Sequence, residues 1–166
     1  MTQRLWVVAF VVCLLSSCAS TVGTKTEVIE VGWLERSILD KPELHQFKAR
    51  YDTVALEQNL VGLIHNVNSG VDFLVFFGTW CGDSRRELPH FLKIADQCGI
   101  ESSRIRLYGL DRSKKSNDGL SDQYHIEKVP TFIFLKNGGE VGRITETPNA
   151  TLEADMLSIL ASAQQK

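Results

Sequence analysis

The run Val71-Asp72-Phe73-Leu74-Val75-Phe76-Phe77 constrains this chain more than any other stretch. With one polar residue among seven it has no solvent-facing side. A strand made of it is therefore buried on both faces, as in the middle of a helix-covered sheet. It leads into Gly78-Thr79-Trp80-Cys81-Gly82-Asp83-Ser84, after which Leu88, Phe91, Leu92, Ala95 and Cys98 recur at helical spacing. The expected order is a central strand, a short loop carrying a cysteine, and a helix from about Gly82 to Cys98. Backbone N–H groups at a helix N-terminus lack partners and favour an anion, so a thiol placed there is biased toward thiolate. Thiolate is the nucleophile of disulfide chemistry.

Around this centre, Glu27 to Val31 predicts a short first strand, and Trp33 to Leu39 a short helix that stops before Pro42. Pro42 to Asn66 predicts a helix with Leu56, Leu60, Leu63 and Ile64 along one side, and Gly70 closes it. Arg104 to Leu110 alternates and predicts a strand, Asp111 to Gly119 a polar loop, and Gly119 to His125 a short helix. Val129 to Ile144 predicts two strands joined at Asn137-Gly138. Thr151 to Ala163 closes the chain as an amphipathic helix with Leu152, Met156, Ile159 and Leu160 inward.

At 166 residues, 43% hydrophobic and 23% charged, the chain suffices for one domain with its own core. A formal charge of −2 leaves no electrostatic footprint for nucleic acid. Cysteines at 13, 18, 81 and 98 are too few and too scattered for a disulfide framework or a zinc site. His45 and His65 have no partners at ligand spacing, and neither metal nor cofactor is expected.

The first residues read as an address rather than as structure. Leu5 to Leu15 is an apolar run behind Arg4, too short to span a bilayer, and it reads as an export signal. It ends Leu15-Ser16-Ser17-Cys18, which resembles the bacterial lipobox. That resemblance implies a signal peptide over residues 1–17 and lipidation of Cys18, and with Ala19 next, the periplasmic face of the outer membrane. Several acyl chains would anchor such a protein stably, each buried CH₂ adding about 0.8 kcal/mol. The other reading is an ordinary secretory signal cut after Ala19. Residues 18–26 read as a flexible tether and 27–166 as the folded domain.

Trp80-Cys81-Gly82 behind a buried strand resembles the active site of thioredoxin-like proteins. Three further matches accompany it: Pro89 eight residues after Cys81, the segment Val129-Pro130-Thr131, and the hairpin at Lys136-Asn137-Gly138. Together they cover about residues 50–163. The resemblance implies an α/β thioredoxin fold, a central mixed β-sheet flanked by helices, with an N-terminal extension. It also implies a cis peptide bond before Pro130, and substrate contacts from Trp80, Gly82, Asp83, Val129, Pro130 and Thr131. The chain departs from the family twice. Ser84 stands where a second cysteine is usual, and Val75 stands where the family has a buried acid.

Cys81 is either a nucleophile or the buried remnant of a redox-silent relative; the intact surroundings favour chemistry. Asp83 beside it opposes the thiolate, while the helix terminus, Arg85 and Arg86 favour it. Arg85 and Arg86 also read as a plain solvated helix face. Ser84 either hydrogen-bonds the Cys81 thiolate or opens a Ser-x-x-Glu capping box with Glu87. Cys98 lies seventeen residues along the same helix. At 1.5 Å per residue that is about 25 Å away, against a disulfide Cα limit of about 7 Å, so it is a core residue and not a resolving partner. The expected function is single-thiol exchange through Cys81, assisted by Ser84, on protein or small-molecule disulfides and thiols: isomerisation or mixed-disulfide reduction. The alternative is a non-catalytic, peptide-binding lipoprotein of the same fold. Peroxidase chemistry fits less well, because Thr79 is only two residues before Cys81.

Overall fold

The computed structural model describes residues 27–165. The expected signal peptide, the tether before Glu27 and the lipidation site Cys18 lie outside the described residues. A five-stranded mixed sheet forms the centre, ordered β1-β3-β2-β4-β5. Its strands are β1 (Gly32–Leu34), β2 (Val71–Phe77), β3 (Ile105–Gly109), β4 (Thr131–Lys136) and β5 (Gly139–Thr145). β2 and β3 run parallel; every other neighbouring pair is antiparallel. The helices are α1 (His45–Thr53), α2 (Gln58–Val67), α3 (Gly82–Gln97), α4 (Leu120–Gln123) and α5 (Leu152–Ala163).

β2 is the middle strand, as its apolar run requires. Val71 and every residue from Phe73 to Phe77 are fully buried, and only Asp72 reaches solvent. On one face Phe73 packs edge-on against Phe91 of α3 and Phe134 of β4, at ring-centroid distances of 5.4 and 5.2 Å. This larger core also takes Phe47, Ile64, Leu88, Leu92, Met156 and Leu160 from the helices. On the other face Leu74, Phe76 and Tyr108 pack with Leu110, Ile126, Val129 and Ile133. α3 continues on both sides of Pro89 and buries its expected stripe of Leu88, Phe91, Leu92 and Ala95, with Cys98 as C-cap. The β4–β5 hairpin turns at Asn137 (φ 52°) and Gly138 (φ 79°), the two positive φ values that a tight two-residue turn of matching twist demands.

Three expectations about the N-terminal third are corrected. Residues 27–31 are not a strand: the first strand is Gly32–Leu34, so Trp33 lies in β1, and the helical turn is a 3₁₀ segment at Arg36–Asp40. The amide of Glu30 and the carbonyl of Val28 go instead to the side chain of Thr79, which leaves no ladder to form there. The helix expected over Pro42 to Asn66 is a 3₁₀ turn (Pro42–Leu44) followed by α1 and α2. The break occurs where Val54 is buried and its carbonyl accepts a hydrogen bond from Lys93 Nζ at 2.7 Å. With the helix divided, the inward residues of α2 become Val61 and Ile64, and Leu63 is half exposed.

Candidate functional site

The site forms where β2 hands over to α3. A turn closes Gly78 to Cys81, with the Cys81 N–H donating to the Gly78 carbonyl at 3.0 Å. Cys81 is the N-cap of α3, in extended conformation (φ −84°, ψ 129°), and is half buried. Its thiol donates to the carbonyl of Val129 at 3.2 Å. The Val129–Pro130 peptide bond is cis. The sulfur thus sits between two environments. One is the open end of a sixteen-residue helix, whose first N–H groups favour an anion. The other is a backbone acceptor that holds the neutral thiol.

Trp80 is held by its Nε1–H, which donates to the Leu110 carbonyl at 2.8 Å, and the Arg112 guanidinium lies 5.0 Å from its ring centroid. A side chain on Gly78 would collide with that indole, so glycine is needed there. Gly82 is different: it is an exposed first helical residue, and a Cβ added to it would meet nothing. Asp83 pairs with Arg86 at 2.8 Å, so its charge is balanced along the helix surface rather than against the thiol. Arg85 donates to the Trp80 carbonyl and to Gln46. Thr131 donates from its hydroxyl to the Lys128 carbonyl at 2.7 Å, bracing the loop that carries Val129 and Pro130.

Ser84 takes neither role expected of it. Its buried hydroxyl oxygen accepts the Gly78 N–H at 3.1 Å, so it closes the loop from within. The capping box is absent because the helix begins at Gly82, which makes Ser84 its third residue rather than its cap. Glu87 turns instead to Arg86 (2.6 Å) and His90 (3.8 Å). Val75 is fully buried between Leu107 and Phe132 in the strand register, so the usual acid position is apolar here.

Cys98 is buried at the far end of α3, its thiol directed at the Val61 carbonyl. Burial, then the charge of Glu153, pushes its pKa up to about 11, which keeps it a thiol. His65 bonds the Cys98 carbonyl at 2.8 Å, tying α2 to the end of α3, and His45 bonds the nearby Pro42 carbonyl. Among the described residues, no group of three or more His, Cys, Asp or Glu side chains is placed to hold a metal ion.

Sequence reasoning missed two features. One is Thr79, whose buried hydroxyl joins the motif to residues 28 and 30. The other is a buried ionic cluster in which His90 Nε2 meets Glu153 at 2.9 Å while Nδ1 faces Glu87. Glu87 and His90 share helical spacing and were readable as neighbours; Glu153 is 63 residues away and gave no signal.

The family model for thioredoxin matches residues 39–159. Protein disulfide-isomerase of Oryctolagus cuniculus is 36% identical over 63 residues, 38% of this chain and 12% of that one. Thioredoxin H9 of Arabidopsis thaliana is 28% identical over 90 residues, 54% of this chain and 60% of its own. The chain spans less than two thirds of the length of both relatives. Among solved structures, a protein of unknown function from Pseudomonas aeruginosa superposes with a TM-score of 0.51 at 18% identity, covering 74% of this chain and 82% of its own. An HIV epitope scaffold gives a TM-score of 0.52, also at 18% identity, covering 74% and 83%. These structural likenesses speak for the fold, and the family match spans most of the chain, site included: the chain belongs to the thioredoxin family.

Proposed function

We propose that this protein carries out thiol–disulfide exchange through one thiol, Cys81, as a lipid-anchored protein of the periplasm. The observation that carries the reading is the placement of Cys81. It is half exposed at the N-cap of α3, with its S–H aimed at the Val129 carbonyl beside cis Pro130. Ser84 stands where a resolving sulfur would. The relatives' names, protein disulfide-isomerase and thioredoxin, support the same class of chemistry.

The cycle has two displacements. Deprotonated Cys81 attacks one sulfur of a substrate disulfide; that S–S bond breaks, a mixed disulfide forms on Cys81, and a substrate thiolate leaves. A second thiol, from the substrate or from a small molecule, then attacks the substrate sulfur and releases Cys81 as thiolate. Resolution by the substrate's own thiol is isomerisation; resolution by a small thiol leaves that thiol on the substrate sulfur, and a second small thiol completes the reduction, departing as the small-molecule disulfide. When Cys81 loses its proton the Val129 carbonyl loses its donor and becomes available to pair with an extended substrate backbone. The anchor, through Cys18, rests on the sequence Leu15-Ser16-Ser17-Cys18 alone.

The test is reactivation of a scrambled-disulfide protein. Wild type should isomerise it at a rate that depends on added small thiol, and Cys81→Ser should be inactive. Equal rates for the two would contradict the reading and favour a binding protein of the same fold.

A further inference from the structure

Residues 27–31 precede the stretch that matches the thioredoxin family, yet they cross the loop that holds Cys81. That loop is a closed turn from Gly78 to Cys81, with Thr79 and Trp80 as its two corners. Both corners connect to the preceding segment. The buried Thr79 hydroxyl donates to the Val28 carbonyl at 2.7 Å and accepts the Glu30 N–H at 3.1 Å. Trp80 lies under Arg112, which pairs with Glu27. From the opposite side, Glu30 rests on the sheet at Gly109, where a Cβ would stand 2.4 Å from the Glu30 carbonyl oxygen; only glycine admits the segment so closely. The Glu27 and Glu30 ion pairs are exposed and hold little on their own. Thr79 is the polar link to the loop, since breaking its bonds buries an unpaired hydroxyl and frees two backbone groups, while Val28 beside it packs on the main core.

We infer that residues 27–31 are a strap that sets the geometry of the Cys81 turn, with Thr79 as the positioning residue that couples the strap to the thiol. The inference rests on the reading of Cys81 as the reactive group. The turn decides where Cys81 stands relative to two partners, the helix N-terminus and the Val129 carbonyl. Whatever displaces the strap withdraws both hydrogen bonds from the turn's first corner and lets the sulfur drift from both partners. The strap is also the part of the domain nearest in sequence to residues 18–26. The attachment of the chain at its N-terminal side is thereby linked mechanically to the reactivity of its thiol.

The experiment measures iodoacetamide alkylation of Cys81 in the full chain at a series of pH values, read from the mass of the Cys81 peptide. Thr79→Val keeps the shape and removes both hydrogen bonds; Thr79→Ser keeps the hydroxyl. Gly109→Ala pushes on the strap at Glu30 and on Leu34 of β1 while leaving every residue of the loop itself unchanged. Thr79→Val and Gly109→Ala should each change the rate at least fivefold and displace its pH profile, while Thr79→Ser stays within twofold of wild type. Profiles of folded Thr79→Val and Gly109→Ala that superimpose on wild type would overturn the inference, as would failure of Thr79→Ser to restore the rate. Where Thr79→Val does not fold, Gly109→Ala decides. The reading of Cys81 itself is judged separately: wild-type Cys81 should be alkylated faster than free cysteine at the same pH, and a slower rate would contradict that reading.

Discussion

At the start of α3 a sulfur and a hydroxyl three residues apart serve different ends. Cys81 faces outward at the cap, whereas Ser84 faces inward and accepts the Gly78 amide. Removing that acceptor leaves a buried N–H unpaired, so Ser84→Ala should lower stability by about 1–3 kcal/mol, measurable by urea unfolding. Ser84→Cys should do something else. Residues three apart at a helix start lie inside the Cα separation of about 7 Å that a disulfide tolerates, and a cysteine at 84 can reach the Cys81 sulfur by a change of rotamer. The variant should resolve its own mixed disulfides, so that adducts on Cys81 persist in wild type and vanish in Ser84→Cys on non-reducing gels. Cys98 offers the contrast: with its pKa raised to about 11 it should stay unalkylated at pH 8 in the folded protein while Cys81 reacts.

Among the elements, β2 and α3 were legible in the sequence because each is written in a local period. Seven nearly all-apolar residues announce a central strand, and the stripe from Leu88 to Cys98 announces the helix packed on it. The hairpin was legible from Asn137-Gly138 for the same reason. What was not legible depends on partners far apart in sequence. Thr79 reaches back 51 residues to Val28, and His90 reaches forward 63 to Glu153. Helical spacing over Pro42 to Asn66 misled in its turn, because α1 stops at an extended Val54 whose carbonyl is taken up by Lys93 of another helix, a partner the local spacing does not show. The unforeseen cluster has a measurable consequence. Burial pulls the His90 pKa down, but hydrogen bonds to Glu153 and Glu87 outweigh it and raise the value from 6.5 to about 8. A group held above its unfolded pKa stabilises fully below that unfolded value and ceases to do so as pH rises through the folded one. Stability should therefore fall as pH passes from 6.5 through about 8, by about 1 kcal/mol after allowance for solvent screening. Glu87 and Glu153 are held below the ordinary carboxylate range: burial raises each, but hydrogen bonds, led by His90's, lower it more. Their contribution is lost on the acid side. Urea midpoints across pH should show the alkaline loss in wild type and its absence in His90→Gln. In β2, Phe73→Ala should cost about 3–5 kcal/mol, since Phe73 is fully buried against two rings.

For the molecule as a whole, the half-exposed thiol among the described residues stands at the end of a covered sheet, and the proposed strap and the proposed anchor both lie on its N-terminal side in sequence. With the proposed anchor, Cys18→Ala should move the exported protein from the membrane pellet to the soluble fraction while leaving Cys81 chemistry intact. On the proposed mechanism Cys81 alone exchanges disulfides and waits for a second thiol. The most direct test is to quench intact cells with acid, alkylate free thiols, and separate the protein on non-reducing gels for mass spectrometry. Covalent adducts joined through Cys81 should appear, disappear with reductant and be absent from Cys81→Ser. A wild-type protein that carries no adduct on Cys81, or adducts that persist unchanged in Cys81→Ser, would contradict that mechanism.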